Sequence, residues 1–239
     1  MGSCNSFICM VCLFILSACL SAAQSEVSVA PEVKSSLPPP IAHWNFDDPN
    51  NPWQDAGPRS WHARVVHGHE LNGLPGVYGY SQSFRGSHRI EVPNDPIWSE
   101  LKCISFSAWV LPGELSTYRE IFRKEDGDRR VLFSFQNDGR ILSLGLNING
   151  YVECDAPIRP EDVLDGQWHH CAATFDGEWM RVFLDGRKIG ELHRPGRITA
   201  GGSASPCIAS LNGGENFQGS LDDLRIYNTA LDESHVREL

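Results

Sequence analysis

The stretch Gln167–Leu192, QWHHCAATFDGEWMRVFLDGRKIGEL, decides the fold of this 239-residue chain. Trp168–Phe175 is rich in aromatic and β-favouring residues, and Asp176-Gly177 then offers the positive-φ positions of a tight hairpin turn. Trp179–Leu184 returns with Met180, Val182 and Leu184 on one face and Arg181 and Phe183 on the other. Asp185-Gly186 turns the chain again into Lys188–Leu192. A helix would not tolerate two Asp-Gly breaks at this spacing. The stretch is a three-stranded meander, and its alternation predicts a sheet with one face packed on a second layer.

The same grammar extends in both directions. Ile41–Asp48, IAHWNFDD, is a strand with Trp44 and Phe46 on one side, followed by a turn-rich loop centred on Asp55-Ala56-Gly57. Phe84-Arg85-Gly86-Ser87 and Ile90-Glu91-Val92-Pro93 read as a strand end, a turn and a new strand stopped by proline. Ile104–Leu111 is a strand ended by Pro112-Gly113. Glu120–Lys124 and Val131–Phe135 flank the turn Glu125–Asp128, and Asn149-Gly150 folds Ile141–Ile148 onto Tyr151–Cys154. Pro206–Leu211 reads as a strand, and Gly219–Tyr227 as a closing strand that should lie near the first. Asp232–Leu239 fits one short helix with Asp232 as N-cap. Short strands with Gly and Asp-Gly turns predict an all-β, two-sheet antiparallel sandwich over residues 41–239.

Trp168–Gly177 followed by Val182–Gly186 resembles the central hairpin of laminin-G-like jelly-roll modules of the concanavalin A-like lectin/glucanase superfamily. Phe84–Ser87 with Ile90–Pro93, and Gly219–Tyr227, extend the resemblance from Ile41 to Leu239. It implies a jelly roll, and a packed position for Cys171, where such modules carry Val. It does not imply one ligand, because this fold hosts lectins, protein-binding modules and glycan-processing enzymes.

Phe7–Leu20 is apolar and too short to span a bilayer comfortably, and Ser21-Ala22-Ala23 fits signal cleavage. Residues 1–23 are therefore read as a signal peptide. Leu16–Cys19 also resembles a lipoprotein box with Cys19 acylated, and an uncleaved anchor is the third reading; each places the domain in a secreted or cell-envelope location. Residues 24–40, ending in three prolines, read as a spacer. Outside the signal, Cys103, Cys154, Cys171 and Cys207 are an even number of thiols in an oxidising compartment, which makes them disulfide candidates with no pairing specified. The formal net charge is −10 with no basic run, so nucleic acid is not an expected partner.

The residues point to binding rather than catalysis. Glu153 and Asp155 alternate onto one strand face without a third carboxylate, and no hydrolase motif is present. Adjacent His169 and His170 point to opposite faces and cannot chelate one ion; partners such as His43 or His62 would be needed. Asp47, Asp48, Asp55 and Asp222 come from the two ends of the domain, and some of the modules it resembles bind a structural Ca²⁺ where those ends meet. Trp53, Tyr118, Tyr151 and Trp179 lie in or beside turns and are the candidate sugar platforms, whereas Trp44, Trp109 and Trp168 read as core. The expectation is a non-catalytic module for an extracellular glycan or glycoprotein. A protein-adhesion module, or an accessory domain of a longer secreted enzyme, are the alternatives.

Overall fold

A computed structural model describes residues 37–68, 73–211 and 214–239. The expectations for the signal, for Cys19 and for most of the spacer fall outside those residues. The compact unit spans Ser36–Leu239, and Leu37 at the spacer's end packs against an outer apolar cluster.

Fifteen strands are described. The first five are β1 (Ala42–Trp44), β2 (Arg64–His67), β3 (Gly73–Pro75), β4 (Tyr80–Phe84) and β5 (Arg89–Glu91). The longer central ones are β6 (Ile104–Glu114), β7 (Tyr118–Asp126), β8 (Arg129–Gln136), β9 (Ile141–Asn147) and β10 (Tyr151–Pro157). They are followed by β11 (His169–Phe175), β12 (Trp179–Leu184), β13 (Arg187–His193), β14 (Cys207–Ile208) and β15 (Gln218–Tyr227). A single α-helix, α1 (Glu233–Glu238), closes the described chain. One sheet has the order β13-β12-β11-β6-β15-β4-β3, with β1 also paired to β15; the other is β10-β9-β8-β7-β14-β5-β2. The first and last strands are thus neighbours, and the fold is the expected all-β sandwich.

Alternation builds the core. Ile104, Phe106, Ala108 and Val110 of β6 face inward, opposed by Val131, Phe133 and Phe135 of β8. Phe106 joins the sheets, its ring 5.8 Å from Phe133 and 5.3 Å from Phe122. Each such ring contributes on the order of 2–3 kcal/mol by leaving water. Trp61 and Trp98 stack at 5.5 Å and extend the aromatic column to Phe122. A second cluster of Ala172, Phe183, Tyr227, Leu231, Val236 and Leu239 lies on the outer face, covered by α1. Asp232 caps α1 by accepting from the N–H groups of Ser234 and His235, both at 2.9 Å.

The meander forms as read, but its two Asp-Gly pairs make different turns. Asp185 and Gly186 both have positive φ (49° and 71°), the two-residue type I′ pattern. At the other, only Gly177 of the pair is positive, and the Asp176 carboxylate holds the turn through the N–H groups of Glu178 and Trp179. Pro112-Gly113 does not end β6, which runs to Glu114. Beyond Val110 the β11 partner has stopped, so the missing N–H of Pro112 leaves no ladder bond unmade. The expected strand Pro206–Leu211 shrinks to Cys207–Ile208, because Ala209 takes φ +58°. Trp44 is fully buried as expected, while Trp109 and Trp168 are only half-buried.

Of the disulfide candidates, Cys103, Cys154 and Cys171 are thiols in the structure. Cys154 and Cys207 share a sheet but lie four strands apart, about 19 Å at the usual strand spacing, far beyond disulfide reach. Cys154 sits under the Met180 carbonyl, which is level with Phe175, roughly 13 Å along β11 from Cys171. Cys171 is a packed core residue, as the resemblance implied, and burial raises its thiol pKa well above the usual value.

Candidate functional site

The outward face of the seven-stranded sheet carries four transverse rows set by the ladder register. Tyr118, Gln136, Ile141 and Pro157 form the first, and Glu120, Ser134, Ser143 and Asp155 the second. Arg123, Leu132, Gly145 and Glu153 form the third, and Glu125, Arg130, Asn147 and Tyr151 the fourth. A β-bulge between Glu120 and Phe122 turns both Ile121 and Phe122 into the core, so Glu120, Arg123 and Glu125 can share the outer face. The sequence reading missed this set for that reason, since simple alternation splits it.

Arg123 organises the charges. Its guanidinium lies 2.6 Å from Glu120 Oε1, 3.1 Å from Glu215 Oε2 and 2.9 Å from Glu125 Oε2. Glu120 is fully buried and its Oε2 has no partner. Burial pushes its carboxyl pKa well above the ordinary range, Arg123 opposes the shift, and the neighbouring Glu215 adds to it. Glu153 and Asp155 therefore share this face with Glu120 and Glu125, three strands away. Each acid is nonetheless engaged: Tyr151 donates to Glu153 at 2.5 Å, and Ser143 donates to Asp155 at 2.7 Å. Tyr151 lies down over Gly145, with Arg130 5.1 Å above its ring. A glycine inside a strand signals such a close approach, and Gly145 is the cue that could have placed Tyr151 here.

Beside the first row a cavity of about 350 Å³ opens, lined by Thr117, Tyr118, Gln136, Asn137, Asp138 and Ile141. Tyr118 is 44% exposed. Asp138 Oδ1 accepts from the Thr117 N–H at 2.7 Å, which fixes the loop opposite the ring. An exposed aromatic residue, two amides, a carboxylate and Ile141 thus line one cavity. Gln136, Asn137 and Asp138 were not among the expected site residues. No pattern marked them, because they meet Tyr118 only through the β7–β8 pairing.

The other aromatic candidates separate. Trp53 is 9% exposed and packs edge-on against Phe46 at 5.7 Å and Phe84 at 6.2 Å, so it is core and not a platform. Its loop folds inward because Asp55 accepts from the N–H groups of His43, Gly57 and Trp61, each at 2.7 Å. Trp179 is on the opposite sheet, against His193 at 4.6 Å and Arg181 at 5.9 Å, and does not join Tyr118 and Tyr151.

The four acids expected around a cation are likewise used apart. Asp55 spends both oxygens on its own loop, and Asp48 accepts from the N–H of Asn50. Asp47 and Asp222 do meet the same hairpin: Asp47 accepts from Tyr80 N–H at 2.9 Å, and Asp222 from those of Val77 and Tyr78 at 2.8 and 3.0 Å. Asp222 Oδ1 is buried without a partner, and burial raises its carboxyl pKa to about 6. Among the described residues no three His, Cys, Asp or Glu side chains form a metal-holding group. The histidines considered as metal partners are engaged by neighbouring groups of the protein. His43 pairs with Asp223 at 2.5 Å, His62 accepts from Asp55 N–H, and His169 and His170 point to opposite faces as expected.

A laminin-G family profile described as the concanavalin A-like lectin/glucanases superfamily matches residues 84–237, well over half of the chain. The chain belongs to that superfamily. Among solved structures, domain 4 of AbnA, an extracellular GH43 arabinanase from Geobacillus stearothermophilus, in complex with arabinotriose, superposes with a TM-score of 0.70 at 23% identity. That match covers 84% of this chain and 97% of the other. The CBM40 of the Ruminococcus gnavus IT-sialidase, bound to α2,3-sialyllactose, matches with a TM-score of 0.55 at 11% identity over 66% of this chain and 95% of that one. The binding domain of botulinum neurotoxin serotype G matches at 0.63 and 13%, over 83% of this superfamily member and half of the toxin domain. Comparison with curated proteins gives no match. At these identities the structural matches establish the fold, which this concanavalin A-like chain shares with carbohydrate-binding domains.

Proposed function

We propose that this protein is an exported, non-catalytic saccharide-binding module whose ligand lies on the outward face of the seven-stranded sheet. The observation that carries this reading is the cavity at Tyr118, where an exposed ring meets the amides of Gln136 and Asn137 and the Asp138 carboxylate. A sugar ring offers an apolar C–H face to the aromatic and hydroxyls to the amides and acid. Glycan complexes among the structural neighbours support the ligand class. Arg123 lies between Glu120 and Glu125, so this pair is arranged as an ion network and not as an acid and a free nucleophile.

A structural Ca²⁺ is the cofactor of this reading. Its support is now confined to Asp47 and Asp222, which hold one hairpin from the two ends of the domain, and to the unpartnered Asp222 Oδ1.

The test is electrophoretic retardation of the full chain through gels containing arabinan, other plant polysaccharides or a sialylated glycoprotein, in calcium and in EDTA. Retardation weakened in Tyr118→Ala is the expected result, and loss in EDTA would support calcium. A folded protein that no polysaccharide retards would overturn the reading in favour of protein adhesion.

A further inference from the structure

Exposed aromatic rings are few in this molecule. Among the described residues the largely exposed ones are Tyr118, Tyr78 at 51% and Tyr80 at 45%. Tyr78 and Tyr80 flank Gly79 in the tight connection between β3 and β4, away from the face just described.

This connection is held with unusual thoroughness for a surface turn. Gly76 N–H donates to the Gly79 carbonyl at 3.0 Å. The next N–H groups go to carboxylates from opposite ends of the domain: Val77 and Tyr78 to Asp222, and Tyr80 to Asp47. Gly79 has φ +54°, and a Cβ there would collide with the Asp47 carboxylate; one at Gly76 would collide with that of Asp222. The backbone under the two rings is therefore held from both ends of the domain. Asp222 is wholly buried to maintain it, an arrangement that costs desolvation of a carboxylate. The Tyr78 hydroxyl is steadied as well, 3.4 Å from the Leu239 carbonyl.

Two exposed rings on a backbone held in this way contribute little to the core, so their placement needs another use. Rigid aromatic rings lose little entropy on binding and present flat apolar area. Beside them stand the exposed Asp47 and the Asn45 amide that hydrogen-bonds to it at 3.0 Å, groups able to take sugar hydroxyls. We propose that the Gly76–Tyr80 hairpin is a second saccharide-binding platform, taking a sugar ring by stacking on Tyr78 and Tyr80 with hydroxyls directed to Asp47 and Asn45. This inference rests on the saccharide-binding reading but names a separate site, and it makes the module bivalent.

The test is ¹⁹F NMR of the full chain carrying 3-fluorotyrosine at its five tyrosines, assigned by single Tyr→Phe changes. Arabinotriose and α2,3-sialyllactose are titrated to millimolar concentration, with xylo- and gluco-oligosaccharides as further probes. Shifts of Tyr78 and Tyr80 together with Tyr118 are expected. Tyr78→Ala with Tyr80→Ala should then halve the stoichiometry while leaving the Tyr118 shift intact, which also reports that the variant is folded. If Tyr118 alone moves, the second platform is wrong and the first stands. If Tyr78 and Tyr80 move without Tyr118, the second stands and the first falls. If no tyrosine responds to any probe, both are overturned.

Discussion

Ser107 Oγ and His170 Nε2 lie 2.8 Å apart on adjacent strands, buried between β6 and β11. Burial lowers the His170 pKa to about 4, outweighing the attraction of Asp185 and Asp223. The unfolded chain would bind a proton here near pH 6.5 while the folded chain would not, so stability falls as pH drops from 6.5 towards 4. The loss amounts to roughly 3 kcal/mol over that window. His170→Gln is expected to be less stable at pH 7 but to lose less on acidification. Parallel denaturation curves at pH 7 and pH 4.5 check this; equal losses in both proteins would refute it.

His169, one residue earlier, should behave in the opposite sense. Burial lowers its pKa, but hydrogen bonds to the Asp185 and Asp165 carboxylates and their attraction more than offset that, and the net shift is upward. A raised histidine pKa stabilises the fold fully below the unfolded value, and the contribution is lost as pH rises through the folded one. The difference in melting temperature between the parent and His169→Gln should be larger at pH 5.5 than at pH 8.5. A pH-independent difference would sink the ion-pair account.

Trp53 and Tyr118 should respond to alanine in opposite ways. Trp53→Ala empties an aromatic core position and is expected to cost about 3–5 kcal/mol. Tyr118→Ala removes an exposed ring and should change stability by no more than about 0.5 kcal/mol while weakening retardation by polysaccharide. Urea titration and affinity electrophoresis of both variants separate the two roles.

Gly145→Ala tests the close approach of Tyr151 to the sheet. A Cβ at Gly145 would lie 2.7 Å from Leu132 Cγ and meet the Tyr151 hydroxyl. Overpacking of this kind costs about 1–3 kcal/mol. The loss should shrink in a Tyr151→Ala background, and an additive double-mutant cycle would contradict the geometry.

The four domain cysteines should react as thiols. Cys154, Cys171 and Cys207 are buried and Cys103 is partly exposed, so of these four in the native protein Ellman's reagent should titrate Cys103 alone. In denaturant without reductant all four domain thiols should react. Fewer in the denatured protein would reveal a disulfide.

By itself the sequence determined the β-sandwich. Period-two alternation in Met180–Leu184 and Ile104–Val110, the Asp-Gly and Asn-Gly turns and the Asp232 cap are local features, and each acts through the conformation of a few adjacent residues. Tertiary structure alone decided which turn aromatics are exposed. Trp53 and Tyr118 both sit beside turn residues, yet Asp55 draws the first inward and the β7–β8 pairing leaves the second beside Gln136 and Asp138. The charged rows on the seven-stranded sheet were hidden for a related reason, since the bulge at Glu120 shifts the alternation by one residue. Cysteine pairing and the division of labour among Asp47, Asp55 and Asp222 depend on distances across strands distant in sequence. Such distances are fixed by register and sheet order, which no local pattern encodes.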